Sequence, residues 1–189
     1  MIDPNDPRPT RVAVLLGSLR NDSYNRRIAK RLQAEAPAHV TVEIVSGLAD
    51  LPFYNEQLDG RDTPVPARTL RDQVAAADRV LAVTPEYNGT MPAVLNNAID
   101  WLSRPYGEGA LQGKPFAVVG ATPTQFGGRW SHEDARRSAT VAGADVVPDL
   151  VLSHSTLDAD VFEDPEVFAR FLGALVTLVE HRPAGVVAA

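Results

Sequence analysis

The sequence predicts a three-layer α/β sandwich with a parallel sheet, and three observations lead there. Five short apolar runs alternate with stretches whose apolar residues recur at helical spacing. Strands that alternate with helices form a parallel sheet covered on both faces. The first run, Val12-Ala13-Val14-Leu15-Leu16, is apolar without alternation, which suits a strand buried on both sides.

The elements follow in order. Residues 1–10 carry three prolines and read as a flexible arm; 11–182 form one domain, and 183–189 are a short tail with no assigned place. Gly17 ends the first strand. A helix over 24–36 puts Ile28, Ala29, Leu32 and Ala36 on one face. Val40 to Val45 alternates and reads as a strand nearer an edge. Residues 47–66 hold three prolines and two aromatics, a connection long enough to mark function or an interface. A helix at about 67–77 leads to a third strand, Val80 to Val83. Pro92 opens a helix with Val94, Leu95, Ala98, Ile99 and Leu102 on one face. Phe116 to Val119 is the fourth strand, and a helix spans 130–142. The fifth strand covers 144–152, roughened by Pro148 and Asp149. The last helix starts at Asp164-Pro165 and carries Val167, Phe168, Phe171, Leu172, Leu175, Val176 and Val179. Right-handed crossovers leave few topologies, and the flavodoxin-like order 2-1-3-4-5 is the one expected.

Composition narrows the function. Lys+Arg total 18 against 24 Asp+Glu, a net charge of -6, which lacks the footprint of a nucleic-acid binder. The absence of cysteine excludes disulfides, a thiolate nucleophile and metal–thiolate sites. No apolar run approaches a membrane span. The polar start lacks a basic n-region and an apolar h-region. A cytoplasmic protein without membrane or nucleic-acid partners is therefore expected, and the sequons at Asn21 and Asn88 read as coincidence. No paired metal-ligand spacing occurs, so no metal is expected. His39 and His181 read as surface residues, His154 as part of the loop after the fifth strand, and His132 as a fourth-helix residue near the loop before it. None is expected to be catalytic.

Open α/β sheets bind ligands at the carboxyl ends of strands where the strand order reverses. For this order the point lies between strands 1 and 3, so loops 17–25 and 84–92 are the ones to inspect. The first is Gly17-Ser18-Leu19-Arg20-Asn21-Asp22-Ser23-Tyr24-Asn25. It brings hydroxyls, an amide and an arginine to a helix start, where unpaired N–H groups suit a phosphate dianion. The P-loop and dinucleotide fingerprints are both absent, which favours a terminal monophosphate. The same residues also read as an ordinary helix start, with Ser23 as cap and Arg20 in solvent. The second loop, Thr84-Pro85-Glu86-Tyr87-Asn88-Gly89-Thr90-Met91-Pro92, is a stiff turn able to present backbone N–H groups to a flat ring. A third loop, Gly120 to Arg129, contains the pair Gly127-Gly128, which allows close backbone approach to a ligand or simply a flexible crossover.

GSLRNDSYN and PEYNGTMPAVLNNAIDW together resemble the NADPH-dependent FMN reductase family, a flavodoxin-like group that includes quinone, azo-dye and chromate reductases. The first motif matches G-S-x-R-x-x-S-x-N throughout. The second matches except at Asn96, where lysine is usual. The resemblance implies that Ser18, Arg20, Ser23 and Asn25, with Tyr24 among them, hold the phosphate of FMN. It implies that Pro85, Glu86, Tyr87, Asn88 and Gly89 line the isoalloxazine, mostly through backbone, and that Thr122 and the stretch to Gly128, Gly127 included, close the far side. Tyr87 is a possible substrate contact. The implied reaction is ping-pong: hydride passes from NADPH or NADH to FMN, then electrons pass to a small-molecule acceptor at the same face. The cofactor carries that chemistry, so no protein acid or base is required. The alternative is a non-catalytic FMN electron carrier. A homodimer or homotetramer is implied, with Leu51-Pro52-Phe53-Tyr54 in an interfacial loop.

Overall fold

The structure is a computed structural model and describes residues 8–182. The read arm therefore lies mostly outside the described residues, and the tail 183–189 lies entirely outside them. Thr10 already belongs to a strand, and Arg8 forms a double hydrogen bond with the carboxylate of Asp78 at 2.8 Å.

Five parallel strands form one sheet: β1 Thr10–Leu16, β2 Val40–Ile44, β3 Arg79–Val83, β4 Pro115–Thr122 and β5 Asp145–Ser155. Their order is 2-1-3-4-5, as the sequence predicts. The helices are α1 Tyr24–Glu35, α2 Val65–Ala75, α3 Ala93–Leu102, α4 Arg129–Val141 and α5 Pro165–Glu180. Side chains alternate across a strand, so β1 feeds two cores. Val12, Val14 and Leu16 pack with Ile28 and Leu32 of α1 and Phe171 and Leu175 of α5. Ala13 and Leu15 pack on the other face with Leu70, Leu95, Trp101 and Phe116. The edge position of β2 leaves Thr41 and Glu43 exposed while Val40 and Val42 are buried.

Several boundaries move for identifiable reasons. Helix α2 begins two residues before the expected start, because Pro66 occupies its first turn, where a missing N–H costs no bond. The connection before it holds two short 3₁₀ turns, Leu48–Asp50 and Glu56–Leu58. It is pinned to α3: Asn97 accepts from Tyr54 N–H at 2.8 Å and donates to Pro52 O at 3.0 Å, and Trp101 Nε1 donates to the same carbonyl at 2.8 Å.

Strand β4 runs through Thr122, so Gly120 to Thr122 belong to the sheet and not to the loop expected there. Strand β5 extends to Ser155, which places His154 in the strand and corrects its assignment to a loop. Around Pro148 and Asp149 the β5 register slips, from Phe116 opposite Val146 to Val118 opposite Val151. Arg136 of α4 covers this bulge, donating to Val147 O, Leu150 O and Pro148 O at 3.0 Å each.

Candidate functional site

The carboxyl ends of β1, β3 and β4 meet without side chains between them. A Cβ on Gly17 would lie 2.0 Å from Thr84 Oγ1, and one on Gly120 would lie 2.0 Å from Thr84 O. Only glycine fits either position, so the loops after β1 and β3 start in direct contact.

In the first loop Ser18 is 1% exposed, and its Oγ has no hydrogen-bond partner. Among the described residues it is the one buried side-chain oxygen or nitrogen so placed. Such a group ordinarily has a partner. Ser23 caps α1, its Oγ accepting from Arg26 N–H at 3.0 Å. The first intrahelical bond runs from Arg27 N–H to Ser23 O, so Tyr24 and Asn25 N–H precede the helical ladder. The first turn contains no acid and does contain Arg26, an arrangement that leaves the positive end of the helix without internal compensation. Arg20 is mostly exposed and holds Asp22 at 3.3 Å. A buried hydroxyl and a helix N-terminus thus belong to one loop that also carries an arginine, a combination that suits an anion.

Two implied phosphate ligands have other employment. The Asn25 amide donates to Ala121 O at 2.9 Å and its Oδ1 accepts from Ala121 N–H at 3.0 Å, all buried. This pair of bonds ties α1 to β4. The Tyr24 hydroxyl donates to Asp160 Oδ2 at 2.8 Å, and its ring stacks on Phe162. That bond to a carboxylate raises the phenol pKa. Only its backbone N–H remains for the loop.

The second loop closes as a two-residue turn. Tyr87 N–H donates to Thr90 O and Thr90 N–H to Tyr87 O, with Asn88 at φ 53° and Gly89 at φ 73°. Both central residues have the positive φ that a type I′ turn requires. Pro85 is buried, and Tyr87 is exposed. The loop is fastened to α4 at four points. Glu86 Oε2 accepts from Trp130 N–H at 3.0 Å and Ser131 N–H at 3.2 Å. Gly128, the residue preceding α4, has no side chain to cap it, and Glu86 supplies the carboxylate from across the site. Ser131 Oγ donates to Pro85 O at 2.8 Å, and Thr90 Oγ1 donates to Asp134 at 2.6 Å. His132 Nε2 lies 3.3 Å from Thr84 O, and its Nδ1 lies 2.6 Å from Ser153 Oγ. These partners assign the Nε2–H tautomer. Burial pushes the His132 pKa down to about 4, so the ring is neutral at neutral pH.

On the far side, Thr122 is buried in β4 with its Oγ1 3.2 Å from Thr124 Oγ1. A Cβ on Gly127, at φ 61°, would meet Ser153 and His154 backbone atoms at 2.9 Å. This glycine permits a close approach to β5. His154 Nε2 contacts Ala159 O at 2.8 Å, and His181 pairs with Asp145. Sequence reasoning missed Ser131, His132 and Asp134 as anchors of the second loop. Their polar run directly after Gly127-Gly128, on the first turn of a helix, is the signal that locates them.

Residues 10–158 match the family model described as NADPH-dependent FMN reductase. The chain is 46% identical over 127 residues to a quinone reductase of Pseudomonas putida, an overlap covering 67% of this chain and 68% of the relative. It is 38% identical over 156 residues to a 2-hydroxy-1,4-benzoquinone reductase of a Burkholderia species, covering 79% and 83%. Among solved structures it is similar to FerB, an NAD(P)H:acceptor oxidoreductase of Paracoccus denitrificans. The TM-score is 0.78 and the identity 32%, over 90% of this chain and 97% of that one.

Proposed function

Because the chain belongs to the NADPH-dependent FMN reductase family, we propose that it is an FMN-dependent oxidoreductase that passes electrons from NADPH or NADH to a quinone, free flavin, azo compound or similar small acceptor. The observation that carries this reading is the buried, unpaired hydroxyl of Ser18 beside the uncompensated N-terminus of α1. It fits the terminal phosphate of FMN, which supplies the missing acceptor.

In this reading Ser18, Ser23 and the N–H groups of Tyr24 and Asn25 hold the phosphate, and Arg20 turns from Asp22 to add a charge-assisted bond. Residues Pro85 to Gly89 line the ring edge through backbone, and Thr122 borders the far side. Glu86, Ser131, His132 and Asp134 act one step back: they fix that loop to α4 so that its N–H groups keep their aim. When bound, FMN would supply the hydride-accepting and electron-releasing chemistry, with donor and acceptor taking turns at it. No side chain of the site is required to move a proton. A dimer or tetramer is part of the proposal, supported by Phe53 and Tyr106, which stand 81% and 87% exposed on the surface near α3.

The test is an absorption spectrum of the purified protein mixed with FMN and passed through gel filtration, before and after anaerobic NADPH. A retained flavin band that bleaches with NADPH, and returns with a quinone in the absence of any other reductase, is the expected result. A colourless protein sinks the proposal. A yellow protein that nicotinamides do not bleach is an electron carrier instead.

A further inference from the structure

Four large apolar side chains stand about half exposed at the carboxyl end of the sheet, Leu19, Tyr87 and Phe126 in its loops and Trp130 in the first turn of α4. Two of them form a unit. The rings of Phe126 and Trp130 meet with centroids 4.7 Å apart and planes at 46°. The unit is attached to the second loop, because Trp130 N–H is held by Glu86 Oε2 and a Cβ on Gly89 would come 4.0 Å from Trp130 Cε3. An aromatic surface thus borders the turn assigned to the flat ring. Apolar area of this kind stays in water at a cost, and large aromatics with one free face are suited to receive another ring.

The charges around this surface are matched. Arg129 pairs with Glu133 at 2.8 Å, Arg137 pairs with Asp134, and Glu86 is taken up by the N–H groups of α4. An oxyanion arriving here meets cations already neutralised by carboxylates, whereas a flat uncharged ring meets π faces.

We propose that Phe126 and Trp130 are specificity-determining residues, forming an aromatic wall of the acceptor site that favours planar neutral acceptors such as quinones over metal oxyanions. The proposal rests on the flavin site of the preceding section. The wall contributes binding only: NAD(P)H and one proton from water supply the two electrons and two protons that convert a quinone to its quinol.

The test uses the FMN-loaded protein, reduced anaerobically and mixed by stopped flow with a naphthoquinone or with ferricyanide. The readout is the ratio of the two second-order rate constants. In the Phe126→Ala/Trp130→Ala variant this ratio is expected to fall roughly tenfold, and in Trp130→Phe to stay near that of the parent. Trp130 is held by Glu86 through its backbone N–H, so these changes leave that bond in place. An unchanged ratio in a variant that holds FMN overturns this proposal and leaves the flavin site standing. A parent protein that holds no FMN overturns both. If the double variant loses FMN, Phe126→Leu is measured, and an unchanged ratio there also overturns the wall.

Discussion

A buried hydroxyl without a partner costs about 1–3 kcal/mol, and Ser18 carries that cost in the protein alone. Ser18→Ala is therefore expected to leave the melting temperature of the FMN-free protein unchanged or raised. The same substitution is expected to weaken FMN binding by about 1.5–3 kcal/mol, the net worth of one hydrogen bond to a charged group. Thermal shift and fluorescence titration measure the two effects, and a variant that loses stability while keeping full affinity would remove Ser18 from the phosphate site. Gly17→Ala acts differently, since its Cβ would sit 2.0 Å from Thr84 Oγ1. It is expected to cost about 1–3 kcal/mol as overpacking, read as a lower denaturant midpoint. At this scale the cap Ser23 was legible because a helix start declares its own needs. Asn25 was not, because its partner Ala121 is 96 residues away and is a backbone group common to every residue.

Helix α4 depends on a carboxylate from another element. Glu86→Ala removes the acceptor of the Trp130 and Ser131 N–H groups, and a lost cap costs about 0.5–2 kcal/mol. Hydrogen exchange is expected to rise at the start of α4 and in residues 86–90 together, with Glu86→Gln intermediate. Exchange that rises in only one of the two segments would show that Glu86 does not couple them. The existence and type of the five strands and five helices were legible from periodicity, but their ends were not. Gly120 interrupts the apolar run of β4 and reads as a stop, yet pairing of Gly120 with Ser153 and Thr122 with Ser155 carries both strands onward. Long-range pairing overrides a local breaker there, and the same pairing moves His154 from loop to sheet.

Acid stability reports on the molecule as a whole. His132 is neutral in the fold with a pKa of about 4, against 6.5 for the free group. Between those values the unfolded chain binds more protons than the folded one, so stability falls as pH drops from about 6.5 to about 4. The expected loss is roughly 3 kcal/mol, and His132→Gln flattens that part of the curve in denaturant titrations at pH 7, 5 and 4. A profile that keeps its full slope in the variant would assign the loss elsewhere. Asp59, held low chiefly by its hydrogen bonds to Arg71, and Asp78, held low by Arg8 and the Arg11 N–H against opposing burial, contribute in a different window. Their stabilisation is present above the ordinary carboxylate value and is lost as pH falls below it, through their depressed pKa values.

The strand order was legible because crossover handedness and the placement of two unusual loops select it. The one departure from a regular sheet, the bulge at the outer edge of β5, was visible only as an awkward proline. With the carbonyls of Val147, Pro148 and Leu150 taken by Arg136, that stretch of the border offers fewer acceptors for a foreign chain to zip onto. Crowded copies of this protein therefore meet one stretch of that border blunted by a single guanidinium.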